Sequence, residues 1–522
     1  MRIVLAASEV APFAKTGGLA DVAGSLPAAL ARLGHEVSVF CPYYLQVEES
    51  GAMIREVARL FVPVRGGQKE ARILEARLPG AEVTVFFVAR REFFGREGIY
   101  GPGGYEYLDN LERYAFFCRA VCRASRELEL APDVFHLNDW QTALCAAYLR
   151  HTYGGDPVLS RAASVFTIHN LGYQGVYPPW KMPDTGLARE HFNWKELEFY
   201  GQINLLKGGL VYADVLSTVS KRYAREIQTH EGGYGLDGVL RERSGRLFGI
   251  VNGLDDSVWD PARDPLLPAR YSVGRMAGKR RCRGELQKQM GLRPGSRRPI
   301  LGLVSRLVEQ KGIDILLGAM PAIGELPVDL VVLGSGEHRY ENALADLADR
   351  RPGRIGVRLG YDEKLAHLVE AGSDVYLMPS RYEPCGLNQM ISLRYGTIPV
   401  VRETGGLADT VVDGIDGFSF ADYNPEGLIV AVRRAVSAMS RPVGWRRMVA
   451  RAMRRDWSWD RSAGEYVRLY ELARASAGLP PAKRGKPKRK RVASRKKNAG
   501  RSTPKEVSGR AAKARRSPAR KK

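Results

Sequence analysis

Short apolar runs alternate with longer amphipathic segments through the first half of the chain. Six apolar runs have the length of buried strands, and segments between several of them repeat apolar residues every three to four positions, as helices do. Strands that alternate with helices pack as a parallel sheet covered on both faces. The predicted strands are Arg2–Ala6, Glu36–Cys41, Glu82–Val88, Val134–Leu137, Ser164–Ile168 and Val215–Val219, and the predicted helices are Val22–Leu33, Leu111–Glu127 and Trp140–His151.

The same alternation starts again at Ile300. The fold class that this pattern predicts is α/β, with two Rossmann-like, doubly wound domains that face a central cleft. In such sheets ligands bind beyond the carboxyl ends of the strands. The predicted strands of the second half are Ile300–Val304, Leu330–Leu333, Ile355–Leu359, Val375–Pro379 and Ile398–Val401, with a helix at Ile313–Met320.

These patterns also suggest domain boundaries. We expect the first domain over residues 1–250 and the second over residues 251–455, with a hinge near Gly249–Asp256. Residues 456–476 are predicted to form a terminal helix that packs back on the first domain, and residues 477–522 a disordered basic tail. The buried face of that helix is expected to carry Trp459, Tyr466, Leu469 and Tyr470.

Net charge is concentrated at the C-terminus. Of the total of +23, residues 483–522 supply +18 through 19 Lys and Arg against the single Glu506, which leaves +5 for residues 1–482. The tail has no aromatic residue and cannot bury enough apolar surface to fold. Two roles remain open for it: contact with a polyanion such as nucleic acid or phosphorylated polysaccharide, or a solvated extension that aids solubility.

Composition argues against several classes of protein. No apolar run reaches the roughly 18 residues that a membrane span needs. The N-terminal apolar stretch is too short for a secretory signal and is predicted to be the first buried strand, so we expect a cytoplasmic protein. The cysteines lack zinc-binding spacing, which predicts reduced thiols, no structural metal and no disulfide framework. We also expect no cofactor. They are Cys41, Cys118, Cys122, Cys145, Cys282 and Cys385.

The hexapeptide Thr-Gly-Gly-Leu-Ala-Asp occurs twice, at Thr16–Asp21 and Thr404–Asp409. A glycine pair at the start of a helix lets backbone N–H groups approach an anion, which the helix dipole also favours. Each copy alone also fits an ordinary strand-to-helix turn. Two copies far apart suggest two nucleotide-fold halves that face one cleft, and together with the residues described below they point to a sugar-nucleotide enzyme.

The first copy lies in a polar loop after the first predicted strand. Glu9 and Lys15 precede Gly17 and Gly18, and Asp21 ends the hexapeptide. A lysine beside such a turn can neutralise a phosphate, although a lysine considered alone is more often a surface residue. These five residues are candidates for substrate binding.

Polar residues also end the fourth and fifth predicted strands. Asp139 follows the fourth, in HLNDWQT, and His169 and Asn170 follow the fifth, in TIHNLGYQG. A lone histidine is usually a satisfied polar residue, but neighbouring strand ends share one edge of the sheet. We therefore expect these three side chains to lie together at the site.

In the second half, SRLVEQKG places Arg306 and Lys311 before a helix, and two cations there suit a leaving diphosphate. In MPSRYEPCGLNQM, Glu383 precedes a sharp turn at Cys385–Leu387 that leads into a helix. The carboxylate can bind sugar hydroxyls and the amides at the helix start can bind more. A helix N-terminal acid is the plainer explanation of Glu383.

Taken together, KTGGLADV, HNLGYQG, SRLVEQKG, SRYEPCGLNQM and RETGGLADTV resemble the bacterial glycogen synthase and plant starch synthase family over residues 1–475. The resemblance implies a GT-B fold and a retaining glucosyltransferase that needs no metal. It implies transfer of glucose from ADP-glucose to the 4-hydroxyl at the non-reducing end of an α-1,4-glucan, with release of ADP.

The resemblance also implies individual roles. Lys15 and Gly18 would bind the donor, Arg306 and Lys311 the diphosphate, and Glu383 with the Cys385, Gly386 and Leu387 backbone the glucose. His169 would lie near the reacting carbon, and Asp139 on the donor or acceptor side. Tyr361 would stack on adenine, and Thr404 and Gly405 would lie by the phosphates or the glucose. The implied catalytic residues are His169, Arg306, Lys311 and Glu383.

Many retaining GT-B enzymes carry a second Glu eight positions after the first, where this chain has Ile391. The glycogen synthase branch commonly lacks that Glu, so the chemistry has no evident protein nucleophile. Three alternatives stay open: a UDP-glucose or other donor, a phosphorylase that carries pyridoxal phosphate, and a nucleic-acid-binding protein that depends on the tail.

Overall fold

The structure is a computed structural model, and it describes residues 1–482. The predicted basic tail from Lys483 onward lies outside the described residues. The strands of the described residues are β1 Arg2–Ala6, β2 Glu36–Pro42, β3 Arg55–Val64, β4 Gly67–Arg77, β5 Thr84–Ala89, β6 Val134–Asn138, β7 Ala163–Ile168, β8 Val176–Tyr177, β9 Glu198–Phe199, β10 Gln202–Asn204, β11 Val215–Thr218, β12 Leu247–Gly249, β13 Ile300–Val304, β14 Asp329–Gly334, β15 Ile355–Leu359, β16 Val375–Met378, β17 Ile398–Arg402 and β18 Phe418–Phe420.

The α-helices surround these strands. They are α1 Gly18–Arg32, α2 Leu45–Glu49, α3 Arg91–Phe94, α4 Asn110–Glu127, α5 Ala143–His151, α6 Met182–Thr185, α7 Leu205–Tyr212, α8 Lys221–Glu226, α9 Asp237–Glu242, α10 Ala277–Gln289, α11 Ile313–Glu325, α12 His338–Arg350, α13 Glu363–Gly372, α14 Asn388–Tyr395, α15 Gly405–Thr410, α16 Pro425–Met439, α17 Pro442–Met453 and α18 Trp459–Ser476.

The strands form two large sheets and one small one. The first large sheet has the order β12-β11-β7-β6-β1-β2-β5-β4-β3 and is parallel except for β3 and β4, which form an antiparallel hairpin beside β5. The second has the order β15-β14-β13-β16-β17-β18 and is parallel throughout. Strands β8, β10 and β9 make a small antiparallel sheet.

Central strands are nearly continuous apolar runs because both of their faces are covered by helices. In β1 all residues after Arg2 are buried, and β14 is buried along its whole length. Helix α1 buries Leu19, Val22, Leu26 and Leu30 at helical spacing. It begins at Gly18, four residues before the predicted start, so the second glycine of the first hexapeptide is the first helical residue.

The last helix packs on the first sheet. Helix α18 buries Trp459, Tyr466, Leu469 and Tyr470, and it lies against α1, β7 and β11. The hydroxyl of Tyr470 is 2.9 Å from Nδ1 of His136.

The predicted domain boundaries at residues 250 and 455 stay a prediction. In the structure the first sheet ends at Gly249 and the second begins at Ile300.

Two segments of chain connect the domains, and they are bonded to each other. The N–H of Leu254 donates to the carbonyl of Trp457 at 2.6 Å, and Ser462 Oγ donates to the carbonyl of Val251 at 2.7 Å.

Within residues 1–482, the structure contains no helix with both the length and the apolar character that a membrane crossing requires.

Candidate functional site

One buried carboxylate organises the loop between β1 and α1. Glu9, which is 3% exposed, accepts hydrogen bonds from the N–H groups of Thr16 (2.5 Å) and Gly17 (3.0 Å). It also accepts from the hydroxyls of Thr16 (2.6 Å) and Tyr100 (2.5 Å). Glu9 therefore holds the loop in place, and a direct contact with substrate stays a prediction. Tyr100 is a partner that sequence reasoning missed.

The other side of this loop is open. Lys15 Nζ pairs with Asp21 Oδ1 at 2.6 Å, and both side chains are partly exposed. A Cβ atom placed on Gly17 would have no neighbour within 4 Å among the described residues, and one on Gly18 would lie 3.9 Å from Cδ1 of Leu387 in the second domain. The first glycine pair therefore faces the second domain with its backbone accessible to a ligand.

Asp139 adopts a backbone conformation that non-glycine residues rarely show. Its φ is 56° and its ψ is 179°, and its Oδ1 accepts the N–H of His169 at 2.7 Å. The contact follows from the parallel pairing of β6 with β7, which sets Asn138 opposite Thr167. Burial raises the pKa of the Asp139 carboxyl to about 7. Strain and a displaced pKa at one strand end are typical of functional sites.

His169 is a neutral imidazole in a defined orientation. Its Nε2 lies 2.9 Å from Oδ1 of Asn138, and Nδ2 of Asn138 donates to the carbonyl of Ala6 at 3.0 Å. Since Asn138 presents its oxygen, Nε2 of His169 carries the proton. Burial lowers the pKa of His169 to about 3, so the ring is uncharged near neutral pH. Asn138 was not among the predicted site residues, although it stands in HLNDWQT.

Asn170 connects this cluster to the second domain. Its Oδ1 accepts the N–H of Gly172 at 3.0 Å, and a Cβ atom on Gly172 would lie 3.4 Å from the hydroxyl of Tyr382. The ring of Tyr382 also packs against Tyr234, with centroids 6.0 Å apart. Because Tyr382 directly precedes Glu383, the His169 end of the first sheet lies close to the Glu383 loop.

Lys311 and Glu383 form an ion pair at the carboxyl edge of the second sheet. Lys311 Nζ lies 2.5 Å from Glu383 Oε2, and the two side chains are 20% and 7% exposed. Ser380 Oγ also donates to Glu383 Oε2 at 3.2 Å. After Lys311 the chain turns at Gly312, whose φ is 73°, and any Cβ there would overlap the carbonyl of Pro379. That close approach fixes the lysine loop against the end of β16.

Arg306 lies in the same loop as Lys311 but is exposed. One guanidinium nitrogen donates to Oε1 of Gln310 at 3.3 Å, and the carbonyl of Gln310 accepts the N–H of Arg381 at 2.9 Å. The predicted contact of Arg306 with a diphosphate stays a prediction, and the side chain is available for it.

The turn after Glu383 is held from inside by one glutamine. Gly386 has a φ of 69°, and Gln389 Nε2 donates to the carbonyls of Cys385 (3.0 Å) and Gly386 (2.9 Å). Burial raises the pKa of the Cys385 thiol to about 12, so it is protonated and not a nucleophile. Leu387, at the end of the turn, meets Gly18 as described above.

The second Thr-Gly-Gly sequence packs differently from the first. A Cβ atom on Gly405 would overlap the carbonyl of Glu383, and one on Gly406 would overlap that of Cys385. The N–H of Gly405 donates to the Glu226 carboxylate of the first domain, at 3.0 and 3.1 Å. The Gly405 N–H thus already meets a carboxylate of this chain, and the two glycines let the backbone pack on the Glu383 turn. Contact of Thr404 and Gly405 with substrate stays a prediction.

Tyr361 follows β15 and is 81% exposed. Partial desolvation and the Glu363 carboxylate raise the pKa of the Tyr361 hydroxyl, and the charges of Lys15 and Asp21 of the first domain also act on it. Tyr361 therefore faces the first glycine loop across the cleft. Its stacking on adenine stays a prediction that this placement supports.

The fold and the facing loops define a glycosyltransferase of the GT-B class. Residues 2–242 match the family model described as the starch synthase catalytic domain, and residues 288–447 match glycosyl transferases group 1. The chain is 49% identical to a glycogen synthase of Anaeromyxobacter dehalogenans, over 90% of this chain and 99% of the relative. It is 46% identical to a glycogen synthase of Geotalea uraniireducens, over 92% of this chain and 100% of that relative. The chain belongs to the glycogen synthase and starch synthase family.

Solved structures agree with this assignment. The catalytic domain of starch synthase IV from Arabidopsis thaliana, bound to ADP and acarbose, has a TM-score of 0.84 at 33% identity, over 91% of this chain and 99% of that one. A sucrose-phosphate synthase from Thermosynechococcus elongatus has a TM-score of 0.59 at 17% identity, which shows the shared fold. The predicted α/β, GT-B architecture is confirmed.

Proposed function

We propose that this protein transfers glucose from ADP-glucose to the non-reducing 4-hydroxyl of an α-1,4-glucan, with retention at the anomeric carbon and release of ADP. The observation that carries the proposal is the close approach of Gly18 to Leu387. Because of this approach, the first glycine loop faces the domain that carries the Lys311–Glu383 pair. Relatives that share 45–49% of their residues over nearly their whole length are glycogen synthases, and the similar plant enzyme binds ADP and acarbose.

Donor binding follows from the charges at this cleft. Lys15, Arg306 and Lys311 supply three cations from two loops that face each other, and a diphosphate needs such partners. Lys311 is held by Glu383 before substrate arrives, so an incoming diphosphate adds a second anion to an ammonium that is already positioned. Glu383 then keeps its remaining carboxylate oxygen for sugar hydroxyls.

The residues at the reaction centre favour same-face substitution. Position 391 is a buried isoleucine, the Cys385 thiol is protonated and the His169 ring is neutral. None of these three supplies a nucleophile. We propose that the bond from the glucose anomeric carbon to the diphosphate oxygen breaks first within a tight ion pair. The acceptor 4-oxygen then bonds to the anomeric carbon on the same face, and its proton passes to the departing phosphate oxygen.

In this scheme catalysis depends on positioning and on charge stabilisation. Arg306 and Lys311 stabilise the charge that develops on ADP. Asp139 orients the His169 backbone, and His169 and Asn170 line the sugar side. Closure of the cleft excludes the water that would otherwise capture the sugar cation.

The test is incorporation of labelled glucose into glycogen by the purified protein, with ADP-glucose and UDP-glucose in parallel reactions without added metal. We expect transfer from ADP-glucose and at least tenfold less from UDP-glucose. Preference for UDP-glucose would overturn the donor assignment and keep the reaction. Transfer from neither donor would overturn the proposed function. Visible absorbance of the purified protein would reveal the pyridoxal phosphate that a phosphorylase requires.

We also propose a cytoplasmic location, because all six cysteines are buried free thiols, which suits a reducing compartment. Polyanion contact by residues 483–522 stays a second proposal, favoured by their charge of +18. A chain that ends at Ala482 should lose retention on a heparin column and keep glucosyl transfer. Equal retention of the two chains would remove the tail's proposed role.

A further inference from the structure

Three metal-ligating side chains of the first domain lie together outside the cleft residues. His151 is the last residue of α5, His191 ends a short 3₁₀ turn at Arg189–His191, and Glu196 follows in the next loop. One ligand atom from each lies within 4.8 Å of the other two. They come from separate parts of the chain, so the spacing of cysteines and histidines in the sequence gives no sign of them.

We propose that His151, His191 and Glu196 bind one divalent transition-metal ion, with Zn²⁺ as the best fit. Two imidazoles and one carboxylate are a ligand set that zinc accepts, with water as a fourth ligand. Zinc bonds of about 2.0–2.1 Å place tetrahedral ligand atoms about 3.3 Å apart. His191 Nδ1 and Glu196 Oε2 are already 3.1 Å apart.

The third ligand can reach the other two by a side-chain rotation. The imidazole centroids of His151 and His191 are 4.2 Å apart, and His151 is exposed while His191 and Glu196 are partly buried. His191 and Glu196 thus already stand at ligand spacing, and His151 lies beside them as the third ligand.

Neighbouring groups orient the ligands. Asn193 Nδ2 donates to Glu196 Oε2 at 2.8 Å and to the carbonyl of Glu190 at 2.8 Å. The ring of Tyr212 stands edge-on to His151, with centroids 5.0 Å apart, and its hydroxyl is 3.5 Å from His191 Nδ1. Supporting contacts of this kind tune ligand geometry in metal sites.

The ion would fasten a surface segment to the first domain. Residues 178–197 leave the small sheet after β8 and return to it at β9, and they carry Trp180 and Trp194, which are 73% and 72% exposed. His151 belongs to α5, which begins close after Asp139. The proposed ion therefore has a structural role. It ties the segment that carries Trp180 and Trp194 to α5, independently of the glucosyl transfer proposed above.

Equilibrium dialysis of the untagged, metal-stripped full chain against ZnCl₂ tests the proposal. We expect one Zn²⁺ per chain, and at least about tenfold weaker binding for His151→Gln, His191→Gln and Glu196→Gln. His338→Gln is the matched control, because His338 Nδ1 lies 3.2 Å from Glu341 Oε2 on the surface of α12 and that pair is not part of the three-ligand cluster. It should bind as the wild type does.

Thermal unfolding supplies a readout that separates binding from misfolding. ZnCl₂ should raise the Tm of the wild type and of His338→Gln, and should leave the Tm of the three cluster variants unchanged. Circular dichroism without metal verifies that each variant is folded. Absence of stoichiometric Zn²⁺ binding by the wild type, or equal binding and equal Tm shifts in folded cluster variants, would overturn the proposal.

Discussion

Lys311 Nζ lies 2.5 Å from Glu383 Oε2, and this pair joins the loop after β13 to the loop after β16. Both side chains are largely buried, so each charge depends on the other. Removal of one partner of such a pair leaves an uncompensated charge in a low-dielectric site, which is more destabilising than removal of both. The pair therefore links the lysine that we propose binds a diphosphate to the carboxylate that we propose positions a sugar.

Lys311→Ala should lower kcat by about 100-fold or more, because it removes charge stabilisation of the leaving ADP. Initial rates with ADP-glucose as the varied substrate separate kcat from KM. Lys288→Ala, at an exposed position of α10, is the control and should behave as the wild type. A higher KM with unchanged kcat would show that Lys311 only binds the donor.

The same pair gives a stability prediction. Lys311→Ala should lower the Tm, and the double change Lys311→Ala with Glu383→Gln should recover part of that loss, since the glutamine leaves no buried unpaired charge. Thermal unfolding of the three proteins measures both effects. A double variant less stable than Lys311→Ala alone would contradict the dependence of each charge on its partner.

Cys385→Ser should reduce activity less than Glu383→Ala. The Cys385 thiol is buried and protonated, and we propose that it acts through the backbone of its turn, which Gln389 holds by hydrogen bonds to the carbonyls of Cys385 and Gly386. The substitution Glu383→Ala, in contrast, removes the carboxylate that holds Lys311. Comparison of kcat/KM decides the order, and the reverse ranking would mean that the thiol itself takes part.

Local patterns predict the elements that are buried on both faces. The strands Arg2–Ala6 and Ile300–Val304 have the predicted bounds, and the last helix, which is predicted over residues 456–476, runs over Trp459–Ser476. In these segments burial alone determines where apolar residues stand. The hairpin of β3 and β4 was missed, because its many exposed charged residues and a register shift near Glu56 obscure the alternation of a strand.

Contacts between the domains could not be predicted in the same way. The repeated hexapeptide predicts two similar loops, yet Gly17 is open while Gly405 is packed on the Glu383 turn. Glu226, which accepts the N–H of Gly405, is 179 residues away, and no local pattern connects the two. Strand-end polarity did find Asp139 and His169, since parallel strands bring their carboxyl ends to one edge.

Asp139→Asn should change the pH dependence of stability. The folded-state pKa of about 7 is above the ordinary value near 3.9, so the folded protein holds this proton more tightly than the unfolded chain. The resulting stabilisation is complete below about pH 4 and is lost as pH rises through about 7. The asparagine variant does not titrate, so its Tm relative to the wild type should rise from pH 5 to pH 8.

Melting curves at intervals of pH measure this difference. Asp349→Asn, at an exposed position of α12, should shift the Tm by the same amount at every pH. A constant Tm difference between Asp139→Asn and the wild type would mean that the Asp139 carboxyl is not held protonated in the folded state.

Glu226→Ala should weaken the contact between the domains and lower kcat/KM by about tenfold. Glu226 accepts the N–H of Gly405 at 3.0 Å, and the N–H of Arg222 on the same helix donates to Asp409 Oδ2 at 2.9 Å. This contact fixes α8 of the first domain on α15 of the second, and α15 packs on the Glu383 turn. Loss of the carboxylate leaves the cleft less often in the arrangement that aligns donor and acceptor.

Glu226→Gln should give an intermediate rate, because the amide oxygen still accepts the Gly405 N–H but without the charge that strengthens the bond. Glu231→Ala, which removes an exposed glutamate from the same segment, should leave kcat/KM unchanged. If Glu226→Ala keeps the wild-type kcat/KM while its Tm falls, the contact stabilises the fold without setting the geometry of the cleft. We expect a loss of kcat/KM at an unchanged Tm, because this carboxylate accepts from the Gly405 N–H and the Thr404 hydroxyl of the second domain and so acts between the domains.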